Sequence, residues 1–442
     1  MPLDPIPLWP FPPNWRQPYT VSYEFKTDIF TSRSGKEQRR AQRTTPRRTF
    51  HFTATTRDDD TRLFRRTLAL LQGKTLLAPD LSRFATLATA AGAGSNALQI
   101  AGSIPSWCAG AEEIIVAARG QPYQLAQVQS VKGATVYLVD PLSAPVPGFA
   151  SLHPIVRGRL RDSTSVSDYT DTVQEAEVTI AADPAAGLPE DLGSPDDVFN
   201  KREVFTFAPN RVKPIEGEFR KFIDTVDFGR GRVINYFPVA FSVRMKQLQM
   251  LTPTVDDRTR LVALFLRMKG QRGEFYMPSY EDDFTILDST STTVTVQGNW
   301  ANDLYQGDDT RRAIMVEWNG IKFYRRVTAS GLSGSNTVLT TDEPWPCPLD
   351  DLAVLRWLSV YRMGVDQLSL DCVTSTVSQT QLTVLSLEDL PVAPPDDIFP
   401  LTDAAAWLAD AWGVAFSVSR ILDPLDRIVN ISFPEVSRRY VS

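Results

Sequence analysis

The chain has 442 residues, 43% hydrophobic and 22% charged, with a net charge of −6. That length exceeds one ordinary core, and the hydrophobic share excludes global disorder. The mild acidity favours solubility and argues against a dedicated nucleic-acid binder, which is basic overall. Cys108, Cys347 and Cys372 show no C-x-x-C spacing, so the chain is expected to fold without disulfides in a reducing compartment. No stretch approaches the roughly 18 apolar residues of a membrane helix. The proline-broken start, Met1 to Pro10, lacks the basic region of a signal peptide. The expectation is a protein that acts in the cytoplasm or leaves it inside something larger, with no membrane anchor.

Residues 1–19 are rich in proline and aromatics, including Trp9, Phe11 and Trp15. Proline excludes a helix and a ladder strand here. Two destinations stay open: an arm packed on its own domain, or one docked on a neighbouring subunit with the aromatics as anchors. Val21–Lys26 alternates apolar and polar residues and predicts a strand; a turn follows at Ser32–Gly35, then a strand over Thr49–Ala54. Arg57–Gly73 predicts a helix, capped by Thr56 or Asp58, with Asp58–Asp60 at its positive end and an apolar stripe of Leu63, Phe64, Thr67, Leu68 and Leu71. Thr75–Pro79 is a short extended run, and Ile114–Val116 and Thr135–Val139 are strand-like.

The same succession then returns. Asp58-Asp-Asp-Thr-Arg-Leu63 reappears as Asp256-Asp-Arg-Thr-Arg-Leu261, five of six residues identical. Pro13-Asn14 pairs with Pro209-Asn210, Asp28 and Gly35 with Asp224 and Gly231, Thr170 and Thr172-Val173 with Thr374 and Thr376-Val377. The second helix is predicted over 256–269, capped by Thr254, with Glu274–Pro278, Ile314–Val316 and Thr337–Thr341 as counterparts of the later runs. Such a collinear series points to a unit of roughly 200 residues written twice. The expected fold class is mainly β (α+β): two tandem repeats, each a small sheet with one packed helix plus a β-barrel-like module. The expected division is an arm over 1–19, repeats over 20–183 and 201–399, a linker over 184–200, and a tail over 400–442 with a helix at Asp403–Ala411 and a strand at Val414–Ser419.

Catalytic chemistry is hard to place. His51 and His153 are the two histidines, and neither has a partner at metal-ligand spacing or a nucleophile motif nearby. No cofactor, metal or catalytic residue is expected. Gly229-Arg-Gly231 and Gly331–Gly334 lack the G-K-[ST] of a phosphate loop. One segment stands out in charge: Lys36, Arg39, Arg40, Arg43, Arg47 and Arg48 put six cations in thirteen residues, against the single acid Glu37. It reads as a solvated face, as a charged subunit interface with the Asp58–Asp60 helix start as one conceivable partner, or as a nucleic-acid contact.

The succession Phe25-Lys-Thr-Asp-Ile29, Ser34-Gly-Lys-Glu-Gln-Arg39, Pro46-Arg-Arg-Thr-Phe50, a short helix and Gly73 resembles the N-terminal region of distal tail proteins of long-tailed bacteriophages and gene transfer agents. The resemblance covers about residues 25–80. It is fainter over 218–280, where Asp227-Phe-Gly229 and Gly231 replace the turn. It implies a virion protein that acts without catalysis, a ring at the tail tip joining the tail tube to the baseplate or hub, assembled in the bacterial cytoplasm. A homohexamer is the expected ring, with a trimer of quasi-six-fold symmetry as the alternative. Tail tube protein, hub and baseplate proteins and the tape measure protein are the implied partners, with nucleic acid passing only transiently through the lumen. A minor tail or hub protein is the near rival. A carbohydrate- or receptor-binding module using Trp300, Trp318, Trp345 and Trp357 is a second class, and a tail-borne wall hydrolase a third.

Overall fold

The computed structural model describes residues 6–389, apart from 33–35, 162, 185–191, 222, 228, 230, 232, 238–241, 308–309 and 350–352. The expected tail, with its helix at Asp403–Ala411 and strand at Val414–Ser419, lies outside the described residues. The chain is mainly β with large antiparallel sheets.

In the first half β1 (Tyr19–Glu24) leads through the hairpin β2 (Thr27–Thr31) and β3 (Glu37–Ala41) to β4 (Arg47–Arg57) and helix α1 (Asp59–Leu71). Next come β5 (Thr75–Pro79), β6 (Ala85–Thr86), β7 (Ala97–Gln99), the short helix α2 (Ser106–Ala109), β8 (Glu113–Ala117), β9 (Gln124–Lys132), β10 (Thr135–Leu138), β11 (Ser151–Leu160), β12 (Ser165–Thr170) and β13 (Val173–Ala182). Two short strands follow, β14 (Val198–Phe199) and β15 (Arg202–Val204). The second half holds β16 (Glu216–Arg220), the hairpin β17 (Asp224–Val226) and β18 (Ile234–Tyr236), β19 (Val243–Thr252), α3 (Val255–Met268) and β20 (Phe275–Pro278). It continues with β21 (Ile286–Ser289), β22 (Thr293–Val296), α4 (Trp300–Gly307), β23 (Ala313–Trp318), β24 (Ile321–Ser333), β25 (Asn336–Thr341), β26 (Val354–Met363), β27 (Gln367–Cys372) and β28 (Ser378–Ser386).

The pairings of the two halves run in the same order. β4 joins β1 and β13, β13 joins β12 and β11, and β11 joins β5 and β8. In the second half β19 joins β16 and β28, β28 joins β27 and β26, and β26 joins β20 and β23. Registers agree as well: Ile155 faces Pro79 as Leu358 faces Pro278. The turns into β13 and β28 are tied alike, the Val173 amide donating to Thr170 Oγ1 at 3.0 Å and the Val377 amide to Thr374 Oγ1 at 2.9 Å.

One sheet crosses both halves in the order β16–β19–β28–β27–β1–β4–β13–β12. Beneath it a single apolar core takes residues from both, among them Trp9, Phe52, Phe64 and Val178 from the first and Leu248, Leu261, Phe265 and Leu382 from the second. Alternation along β1 builds its share: Tyr19, Val21 and Tyr23 are buried while Thr20 and Ser22 stand on the other face. Each half then carries its own smaller core in its β module, around Leu98, Ile114, Val136 and Leu152 in one and Val294, Ile314, Leu339 and Trp357 in the other.

The helices correct one sequence expectation. Thr254 caps α3 as expected, its hydroxyl accepting from the Asp257 amide at 3.1 Å. Asp58 precedes α1 with φ at +51° and makes no side-chain cap bond. The buried residues of α1 are Thr61, Phe64 and Thr67; those of α3 include Arg258, Leu261 and Leu264, the same spacing. Phe64 therefore takes the place of Leu261, and Leu63, its partner in the best sequence match, is 44% exposed where Leu261 is 1%. The matching motifs, five of six residues alike, sit one position out of step: the first buried residue is Thr61 in α1 and Arg258, not Thr259, in α3.

Candidate interaction surface

The first-half hairpin and β1 grip the second half. Six residues of β1 pair with β27, from Tyr19 opposite Cys372 to Glu24 opposite Gln367. Thr20 Oγ1 donates to Asp371 Oδ1 at 2.8 Å, and the hydroxyls of Ser22 and Ser369 meet at 2.9 Å. Asp366 accepts from the amide and hydroxyl of Thr27 at 2.6 and 2.8 Å and from the Gln271 amide at 2.9 Å. Glu37 on β3 makes a two-pronged ion pair with Arg362. The guanidinium of Arg258, itself buried, joins the Ser375 carbonyl of its own half to the Ser82 carbonyl of the other.

The basic segment is thereby divided. Arg39 pairs with Glu274 and donates to the Arg272 carbonyl at 3.0 Å, Arg43 pairs with Glu24 at 3.3 Å, and Arg48 is buried near Asp80. These three serve contacts within the chain, which corrects their place in an outward-facing basic patch. Lys36, Arg40 and Arg47 remain exposed. The Asp58–Asp60 segment keeps a local partner, Arg62 reaching Asp59 at 3.3 Å.

The N-terminal arm takes the first of its two destinations, its own domain, with Trp9 and Phe11 in the core. Trp9 is 1% exposed and packs edge-on against Phe11, Phe52 and Phe64 at ring distances of 5.3, 6.4 and 5.7 Å. Its indole N–H donates to the Phe11 carbonyl at 2.8 Å. The backbone from Pro7 to Trp9 is stitched to β5, the Trp9 amide donating to the Leu77 carbonyl and the Leu77 amide to the Pro7 carbonyl. Trp9 and Phe11 belong to the chain's own core, packed with Phe52 of β4 and Phe64 of α1. Trp15 alone of the three is open to solvent.

The titratable groups are built into the fold. His51 Nδ1 sits 3.0 Å from Thr179 Oγ1 across the sheet. His153 is buried between Ser151 Oγ and the Arg83 carbonyl at 2.8 and 2.9 Å, and burial pulls its pKa down. Beside it Asp80 is fully buried. Burial alone would raise its pKa, but the Arg83 guanidinium, the Ser82 hydroxyl and Arg48 together hold it low. Among the described residues no group of three His, Cys, Asp or Glu side chains could hold a metal. All three cysteines are buried and unbridged.

Trp357 packs in its module core against Phe284 at 5.0 Å, and Trp300 stacks on the same Phe284 from outside at 5.6 Å. Trp318 and Trp345 pack against that core too, while Trp300 is 38% exposed. An open cleft lined by Arg211, Tyr280, Glu281, Glu317, Lys322 and Arg356 is internally neutralised, Arg356 pairing with Glu317 at 3.1 Å. No helix among the described residues is long and apolar enough to cross a membrane.

What remains open is the pair of sheet edges. β12 pairs only with β13 and β16 only with β19 among the described residues, and every residue of both is exposed. Sequence reasoning missed them, although the repeat itself marked them as the counterparts of strands that are paired. No protein-family model matches the chain, and no curated protein matches it.

Proposed function

We propose that the protein is a structural ring component of the distal end of a long bacteriophage tail, acting without catalysis between the tail tube and the baseplate or hub. The observation that carries this reading is the two-fold recurrence of one strand order within a continuous sheet whose end strands, β12 and β16, have no partner on their outer sides among the described residues. Unsatisfied edges are normally shortened, charged or covered, and side-by-side similar units joined by a heterologous contact close into rings or grow into filaments. The resemblance of residues 25–80 to distal tail proteins supplies the tail tip as the setting and the tube, hub, baseplate and tape measure proteins as neighbours.

Six chains are the ring order suggested by that resemblance. One observation favours the three-chain alternative and, with it, a hub-like role: the two halves lie side by side in one sheet, so that halves rather than chains would alternate about the axis. Negative-stain imaging of the purified protein and of purified tails tests the reading. Closed rings with a lumen are expected, with the protein at the tail tip; a stable monomer absent from tails would overturn it.

A further inference from the structure

β12 holds in the first half the place that β27 holds in the second, and β16 holds in the second the place of β1. β1 and β27 are paired to each other; β12 and β16 are paired to nothing on their outer sides among the described residues. We infer that β16 of one chain pairs antiparallel with β12 of a second copy, repeating the internal β1–β27 contact, so that first and second halves alternate around a closed sheet. This rests on the ring reading above and names its contact.

The registers on both sides define the new one. Thr170 and Thr374 make equivalent turns, so Glu175 corresponds to Gln379 and Thr179 to Thr383. Ser167 lies opposite Glu175 as Asp371 lies opposite Gln379. His51 lies opposite Thr179 as Gln247 lies opposite Thr383. Thr20 is opposite His51 as Glu216 is opposite Gln247. Since Thr20 faces Asp371 in the internal contact, Glu216 should face Ser167 of the second copy, Gly217 should face Val166, and Glu218 should face Ser165.

The chemistry of those pairs is compatible. The Thr20–Asp371 hydroxyl-to-carboxylate bond becomes Ser167 to Glu216 with donor and acceptor exchanged between strands. Ser22–Ser369 becomes Glu218–Ser165, and no like charges are opposed. On the other face Tyr23 and Leu370 are each 2% exposed, whereas their counterparts Phe219 and Val166 are 64% and 39% exposed. The pairing supplies the cover that these two lack. The hairpin β17–β18, counterpart of the one that grips the second half, likewise presents Ile234 and Tyr236 to solvent.

Paired cysteines test the register. Two double variants, Glu216→Cys with Ser167→Cys and Gly217→Cys with Val166→Cys, place thiols at adjacent cross-strand positions. Neighbouring antiparallel pairs alternate in spacing, so one of the two suits a disulfide. A side chain at 217 has room, its nearest neighbour being the Met245 carbonyl at 3.4 Å, and 216 and 167 are exposed. Mild oxidation with diamide should give a ladder of reducible multimers from at least one double variant. The single variants and the out-of-register pair Arg220→Cys with Ser167→Cys should give none. Light scattering of the unmodified chain is run alongside. A multimer without in-register cross-linking, or with equal cross-linking out of register, overturns this contact and leaves the ring reading standing. A monomer at micromolar concentration with no cross-linking and no incorporation into tails overturns both.

Discussion

Arg362 and Glu37, 325 residues apart in sequence, meet through two bonds, Nε to Oε2 at 2.7 Å and Nη2 to Oε1 at 2.8 Å. Arg362 is 7% exposed, so its charge is held away from water by the hairpin of the other half. Removing one partner of such a pair strands the other. Glu37→Ala should therefore cost about 2–3 kcal/mol in urea unfolding, somewhat below the fully buried range because Arg362 keeps Gln271 Oε1 at 3.0 Å. Glu37→Leu with Arg362→Met should recover most of that loss. A cost near zero for Glu37→Ala would place the pair at a solvated rim.

The one-residue displacement between the helices has an energetic signature. Leu261 fills the shared core and Leu63 does not. Leu261→Ala should cost about 2–4 kcal/mol and Leu63→Ala less than about 0.5. Phe64→Ala and Phe265→Ala should both fall near 3–5 kcal/mol. Leu68 is only half-buried, so Leu68→Asp should cost less than Phe265→Asp. Equal losses from Leu63 and Leu261 would restore the register of the sequence match.

The arm should behave as core. Trp9→Ala is expected to cost about 3–5 kcal/mol, because three aromatic rings, Phe11, Phe52 and Phe64, lose their common partner. Deleting residues 1–15 should lower the thermal midpoint of the chain, beyond any effect on assembly. A truncated chain with unchanged melting would show that the aromatic cleft closes without it.

Lys246 gives a pH test. It is 1% exposed, with Nζ bonded to the Ser279 carbonyl at 2.7 Å and to Glu281 at 3.2 Å. Burial, helped by Arg244, brings its pKa from 10.5 down to about 8. Between those values the unfolded chain binds the proton and the folded chain does not, so this group makes stability rise with pH across that window. Below about pH 8 both states are protonated and the burial cost is fully felt. Lys246→Met should remove the rise while leaving stability at neutral pH equal or higher. Stability curves of wild type and variant that stay parallel from pH 7.5 to 10.5 would refute the lowered pKa.

Much of the local structure was legible. Strand alternation in β1, the prolines that end β5 and β20, and the Thr254 cap follow from short-range sterics and hydrogen bonding that a few residues encode. The Thr170 and Thr374 turns are legible as a repeated pattern because each is closed by a bond within four residues. The charged cluster was legible as a cluster, but not its fate: Arg39 and Arg48 are drawn inward by Glu274 and Asp80, which lie far away in sequence.

By itself the sequence determined a mainly β chain, because periodicity and turn chemistry are local, and its collinear matches pointed to a unit written twice. Only the tertiary structure decided that the halves share one sheet and one core, that Trp9 and Phe11 lie inside it, and that β12 and β16 are left as its edges. Which strand finds which partner depends on register and burial summed over contacts between distant segments, and β1 carries no mark that separates β27 of its own chain from a neighbour.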